Sequence, residues 1–285
     1  MAIGITPLGP VFGARVSGVT LADNLDDATF RAIRAAFDAH SVLVFSDQPM
    51  SDEEQIAFSQ RFGPLQGRTS SVTDRKPLLS RQSNIDMRTG ELIPDEDRRA
   101  LYKKANMLWH ANSSFNNPLS LCSVLTARIV PPEGGNTEFA STRAVYESLS
   151  PARQAEVEDL IVEHSLVHSR QFVGFTFTEA EKLEIPAVRH RLVQVNRNTG
   201  RKSLLIGAHA AHIVGWPVEK GRALLDELLA MATRPENTLS HKWLVGDVTI
   251  WDNRACLHRG TPFDASRYRR LMERATVSYV EPASA

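Results

Sequence analysis

The sequence predicts a mainly β protein, a sandwich or a barrel, and three observations carry that prediction. Beyond residue 105, short strand-like runs recur between turns: "LCSVLTARIV", "NTEFA", "LIVEHSLVHS", "HRLVQV", "SLLIG", "DVTIW" and "RATVSYV". Helical spacing over the same region is confined to about 141–159 and 217–233. No Gly-x-Gly-x-x-Gly and no P-loop occurs, so doubly wound nucleotide folds lose support.

Taken in order, residues 3–21 mix apolar and small residues with Gly and Pro, which suggests a short strand or hairpin. "LDDATFRAIRAAFDAH" (25–40) has Phe30, Ile33, Ala36 and Phe37 on one helical face, with Asp26 or Asp27 as N-cap. "SVLVF" (41–45) is a compact strand, and "SDEEQIAFSQRFG" (51–63) is a helix opened by a Ser51–Glu54 capping box and closed at Gly63. Residues 64–105 are rich in Arg, Asp, Ser and Pro and weakly periodic; a connection this long is either a solvated loop or a lid over a pocket. There is no internal repeat, and one domain over residues 1–285 is expected.

At 42% hydrophobic and 23% charged the chain can bury a large core. Its 33 basic residues balance 33 acidic ones, so no net field attracts nucleic acid or an anionic membrane. Cys122 and Cys256 read as two buried thiols, and neither a signal peptide nor an 18-residue apolar run is seen, which points to the cytoplasm.

Among nine histidines, position singles out two. His110 opens a strand in "LWHANSSF", and His258 follows a strand and a tight turn at Asp252-Asn253. Two imidazoles from distant strands plus one oxygen donor follow the logic of a non-haem Fe(II) site with positions left open. The residue after next from His110 is Asn112, an amide where a carboxylate is the usual partner. In "RYRRLMERATV", Arg270 and Arg274 share a strand face if the period is two. Facing a barrel interior they would be costly without bound carboxylates; a surface salt-bridge strand is the bland alternative. His209 and His212 fit one helical face, and a structural or substrate-pocket role is favoured over metal ligation. His164 and His168 share a strand face and serve hydrogen bonding; Trp109, Trp216 and Trp251 read as core, Trp109 doubling as a pocket wall; Gly134-Gly135 needs only a tight turn.

Seven segments in this order, "GPVFGARVSGVTL", "FSQRFGPL", "LWHANSSF", "VPPEGGNTEFAS", "LLIGAHAAHIVGW", "WDNRACLHRG" and "RRLMERATV", resemble the Fe(II)/α-ketoglutarate-dependent dioxygenases of the taurine and 2,4-dichlorophenoxyacetate type over nearly the whole chain. The likeness is greatest to the aryloxyalkanoate, or phenoxy-herbicide, branch. It implies a double-stranded β-helix, a cupin-like jelly roll with helices outside. By the same resemblance His110 and His258 would be iron ligands with Asn112 at the third position. Thr137 and Arg270 would hold the distal carboxylate of α-ketoglutarate, and Arg274, with Asn106 and His209, would meet a small anionic substrate.

Oxygen is the second cosubstrate. The implied reaction converts α-ketoglutarate to succinate and CO2 and hydroxylates the carbon beside an ether oxygen, giving a phenol and an oxo acid. A homo-oligomer is implied as well. The family's third ligand is an aspartate, so Asn112 implies weakened or altered iron binding, by nature or by engineering. A sulfonate dioxygenase and a catalytically silent carboxylate-binding member of the fold are the alternatives.

Overall fold

Residues 3–67 and 78–280 are described by the computed structural model, so part of the 64–105 segment, residues 68–77, lies outside them. The chain opens with a hairpin of β1 (Gly4–Pro7) and β2 (Ala14–Ser17), as the sequence suggests, followed by α1 (Asp27–His40), β3 (Val42–Phe45) and α2 (Asp52–Gln60). Next come β4 (Leu79–Ser83), α3 (Arg98–Lys104), β5 (Ser120–Ile129), β6 (Thr137–Ser141), α4 (Thr142–Ser148) and α5 (Pro151–Val157). The middle holds β7 (Ile161–His164), α6 (Leu166–Gln171), α7 (Glu179–Glu184), β8 (Val188–Arg191), β9 (Val193–Val195), β10 (Lys202–Leu204) and β11 (Ala210–Ile213). The end comprises α8 (Val218–Ala232), β12 (Thr238–His241), β13 (Val248–Asp252), β14 (Cys256–Gly260) and β15 (Leu271–Ser278).

One layer is a seven-stranded sheet, β1-β2-β3-β13-β5-β15-β4, antiparallel except at the β2–β3 pair. Opposite it lie β12-β6-β14 and β11-β7-β8. Residue His110 bridges both Gly207 and His258, and so stitches the second layer together. This is the expected jelly roll with helices outside.

Local chemistry fixes the helices on the large sheet. Asp26 caps α1 by accepting from the Thr29 amide at 2.7 Å, and the reciprocal Ser51–Glu54 box starts α2. Gln55 of α2 is fully buried and donates to the carbonyls of Val124 (3.1 Å) and Glu273 (2.9 Å), which bolts the helix to β5 and β15. Ile33, Phe37, Phe45, Phe58 and Phe62 pack there as one core. A second core lies between the smaller sheets and α4 and α8, and a third fills the sandwich around Phe139, Trp251 and Met272.

Three expectations need correction. The 141–159 interval is two helices, because the Ser150 cap and Pro151 start α5 afresh. "LIVEHSLVHS" is not one strand: it ends at His164, and Ser165 then caps α6, so His164 and His168 share no face. His212 lies in strand β11 and His209 in the turn just before it, not on a helix, and Gly207 in that turn is pressed against the backbone of the His110 segment.

Gly207 has φ +105°, and a Cβ on it would stand 2.9 Å from the Trp109 carbonyl and 3.1 Å from the Cα of His110. Gly207→Ala is therefore expected to cost about 1–3 kcal/mol and to loosen the His110 bridge. Urea unfolding followed by circular dichroism measures it; an unshifted midpoint would refute the close-approach account.

Candidate active site

The site begins with a reciprocal backbone pair. The His110 amide donates to the His258 carbonyl at 3.1 Å and the His258 amide to that of His110 at 3.0 Å. This narrow pairing brings the two imidazole centroids to 4.2 Å. His110 Nδ1 lies 2.7 Å from the Leu108 carbonyl, which can only accept, so Nδ1 carries the proton and Nε2 keeps its lone pair. Burial lowers the His110 pKa to about 4, helped by the nearby charges of Arg274 and Arg170. His258 is held well below its ordinary range, first by burial and then by the neighbouring imidazole and Arg274. Both rings are thus neutral at pH 7, the form that binds a metal.

Asn112 is buried beside them. Its Nδ2 donates to Ser123 Oγ at 3.1 Å and Thr276 Oγ1 at 3.3 Å. Ser123 is itself fixed by Asn253 Nδ2 at 3.1 Å. With the nitrogen committed to two hydroxyls, the amide oxygen is left for the site. Two imidazoles and an amide oxygen suit Fe(II) in donor type but carry no charge. Among the described residues, no three of His, Cys, Asp and Glu come together as a metal site.

Two cavities flank this centre. One, of about 730 Å³, is lined by His110, Asn112, His209 and Arg274. The other, of about 390 Å³, is lined by Arg270. Asn106, Gln82 and Lys103 border both, and Asn106 Nδ2 donates to Gln82 Oε1 at 3.1 Å across the shared wall. Arg270 and Arg274 therefore do not look into one space as strand parity implied. Arg270 precedes β15, and the register shifts between Leu271 and Met272.

Arg270 donates through Nε to the Gly135 carbonyl at 3.3 Å, and burial lowers its pKa to about 10, with no carboxylate paired to it among the described residues. Gly134 and Gly135 are both left-handed, with φ +70° and +65°. A Cβ on Gly135 would meet Arg270 Nε at 3.3 Å, so the pair serves close approach as well as a turn. Thr137, two residues on, is buried and accepts from Trp243 Nε1 at 3.0 Å.

His209 is 3% exposed and sits edge-on to Phe115, with ring centroids 4.8 Å apart. Its Nδ1 is 3.2 Å from Ser114 Oγ, which is also 3.2 Å from His164 Nδ1. His212 points elsewhere, 3.8 Å from Glu163. Sequence reasoning missed Ser123 and Thr276, which hold Asn112, and Tyr102, Phe115 and Arg170, which line the larger cavity. Only "SSF", directly after Asn112, gave any local hint.

A jelly roll with a neutral histidine pair, His110 of which lines an arginine-rich cavity, is the architecture of a metal-dependent oxygenase class of site. The chain belongs to the taurine catabolism dioxygenase TauD, TfdA family, whose model matches residues 4–276. It is 42% identical over 282 residues to an α-ketoglutarate-dependent 2,4-dichlorophenoxyacetate dioxygenase of Cupriavidus pinatubonensis, covering 97% of this chain and 98% of that one. It is 38% identical over 293 residues to an (S)-phenoxypropionate/α-ketoglutarate dioxygenase of Sphingobium herbicidovorans, with 99% and 97% covered. The crystal structure of AAD-2 with Mn(II) and N-oxalylglycine superposes with a TM-score of 0.89 at 40% identity, over 100% of both chains. No helix among the described residues is long and apolar enough to cross a membrane.

The buried imidazoles make stability depend on pH. Burial lowers the His164 pKa to about 3 and that of His110 to about 4. Unfolded imidazoles take up protons near pH 6.5, whereas these stay neutral, so the unfolded chain binds more protons. Stability should be intact above about 6.5 and fall as pH drops towards about 4, by about 1–2 kcal/mol per such imidazole by pH 5. Urea midpoints of the metal-free protein at pH 7.5, 6 and 5 measure this; a flat response contradicts it.

Proposed function

We propose that this protein is an Fe(II)- and α-ketoglutarate-dependent dioxygenase that hydroxylates the carbon beside the ether oxygen of an aryloxyalkanoic acid. The products are a phenol, an oxo acid, succinate and CO2. The observation that carries the reading is the neutral His110–His258 pair beside a cavity lined, among the described residues, by six Arg and Lys side chains and no Asp or Glu. Relatives named for 2,4-dichlorophenoxyacetate and phenoxypropionate support the substrate class.

His110, His258 and the amide oxygen of Asn112 would hold Fe(II), which when bound supplies the oxidising chemistry with O2. Every other task falls to this chain's residues. Arg270 offers a fork to the distal carboxylate of α-ketoglutarate, with Thr137 alongside. Arg274, whose charge already acts on both histidines, keeps an anionic group next to the metal position. Ser123 and Thr276 orient Asn112, and the Leu108 carbonyl orients His110. The hydroxylated carbon is a hemiacetal carbon, and its collapse separates the phenol from the oxo acid.

Within the 64–105 segment β4 belongs to the large sheet, so the lid reading narrows to the part around α3, whose Tyr102 and Lys103 border the larger cavity. A cytoplasmic homo-oligomer completes the reading.

Asn112 leaves the ligand set one negative charge short. Asn112→Asp is expected to tighten Fe(II) binding by at least about 10–100-fold and to raise α-ketoglutarate turnover. Metal titration gives the first, and succinate release with aryloxyacetates, aryloxypropionates and sulfonates gives the second. Anaerobic Fe(II) plus α-ketoglutarate should also produce a weak visible charge-transfer band. If neither protein makes succinate with any acid and neither gives the band, the dioxygenase reading fails; succinate with sulfonates alone would replace the substrate class.

A further inference from the structure

Thr137 opens β6 with its hydroxyl already engaged. Trp243 Nε1 donates to Thr137 Oγ1 at 3.0 Å, and both residues are buried. An indole N–H can only donate, so it takes one of the two lone pairs of the hydroxyl. The Thr137 O–H has no acceptor of its own among the described residues. Its proton is turned away from the indole and left to give.

The chain around Thr137 adjoins the Arg270 cavity. Thr137 pairs across the ladder with Gly260, which lines that cavity together with Thr261 and Arg270. Two residues before Thr137, the Gly135 carbonyl accepts from Arg270 Nε at 3.3 Å. One short run thus fixes both a guanidinium and a hydroxyl.

Trp243 is held as firmly. Its ring stands edge-on to His241, with centroids 4.5 Å apart and planes at 82°, and His241 itself faces Thr137 in the β12–β6 register. The turn that follows is closed twice. The Leu244 amide donates to Asp247 Oδ2 at 3.1 Å, and the Asp247 amide to the Leu244 carbonyl at 3.1 Å. Asp247 Oδ2 also lies 3.1 Å from His241 Nε2. The Gly246 amide and the Asp247 carbonyl then tie the turn to Ala127 of β5, each at 3.0 Å. The apolar core around Phe139 and Met272 needs only the bulk of the Trp243 ring. The polar ties at its edge fix where its N–H points.

We propose that Trp243 is a positioning residue for the cosubstrate: by occupying one lone pair of the Thr137 hydroxyl, it holds the O–H ready to donate to the distal carboxylate that Arg270 receives. A free hydroxyl rotates and loses entropy when a ligand orders it; this one is ordered beforehand. The inference rests on the reading of Thr137 and Arg270 as the site of that carboxylate. It makes the indole a selector as well, since a keto acid without a distal carboxylate gains nothing from it.

The test is calorimetric titration of the full chain with Mn(II) and no oxygen, using α-ketoglutarate and α-ketovalerate, which has the same carbon chain without the distal carboxylate. Trp243→Phe is expected to weaken α-ketoglutarate by about 5–10-fold and α-ketovalerate by less than about twofold. Thr137→Val should weaken α-ketoglutarate by as much or more, and adding Trp243→Phe to it should cost no more than about twofold further. Replacing the Trp243 indole by benzothiophene keeps the ring shape and removes the N–H. It should reproduce Trp243→Phe, and it stands as the test if that variant fails to fold. Equal weakening of both acids, or losses that multiply in the double variant, mark a packing role and overturn the inference. So does α-ketoglutarate affinity within about twofold of the parent in the Trp243 variants while Thr137→Val loses it; the cosubstrate site then stands. If Thr137→Val itself leaves α-ketoglutarate unchanged, or the parent binds neither acid, the reading of the site falls and the inference with it.

Discussion

The site depends on one pair of backbone hydrogen bonds, those exchanged between His110 and His258. The two histidines are separated by 148 positions of chain, and only Asn112, two residues after His110, is a candidate donor near either of them in sequence. This bridge brings their rings to 4.2 Å between centroids, tilted by 46°. Gly207 closes the same ladder from the other edge, where a side chain has no room. The fold and the site are in this sense one feature: the contact that completes the second layer is the contact that assembles the donors.

Charge is the second constraint. Burial keeps His110, His209 and His258 neutral, Asn112 is neutral by nature, and the surrounding arginines are positive. Among the described residues, no Asp or Glu lines the larger cavity. A divalent cation entering alone meets no opposing charge, whereas one arriving with a dianionic chelator is offset at once. On the proposed ligand set, Asn112 in place of a carboxylate would couple metal and cosubstrate more tightly than a His-x-Asp site, each becoming a condition for holding the other. The hydroxyls of Ser123 and Thr276 suit this substitution, since they accept from an amide as readily as they would donate to a carboxylate.

How much of this was legible in the sequence follows from the range of each interaction. Caps are local, so Asp26 and the Ser51–Glu54 box announced α1 and α2 correctly. The motif order around His110 and His258 announced the family and the jelly roll. Histidine spacing misled, because three residues apart means a helical face only on a helix, and His209–His212 lie in and beside a strand. Arg270 and Arg274 were read by strand parity, which the bulge at Leu271–Met272 breaks. Arg170 gave no signal at all, for its neighbours Tyr102 and Phe175 meet it only through the packing of α3 and the α6–α7 connection.

Parity failed at Arg270 for a reason that bears on the chemistry. A continuous strand would have aimed both guanidinium groups into one chamber, where their repulsion would fall on a single ligand. The bulge turns Arg270 towards the Gly135 carbonyl and a separate cavity, leaving Arg274 with the histidines. The Asn106–Gln82 hydrogen bond stands between the two spaces, with Lys103 on both sides. A five-carbon diacid is long enough to have its ends in different surroundings, one at the metal and one at a remote arginine. An aryloxy acid, whose carboxylate is one carbon from the oxidised position, needs its cation close to the histidines instead. On the proposed reading, Arg274 in the cavity of His110 and Arg270 in the neighbouring one would separate substrate from cosubstrate by reach, although both present the same functional group.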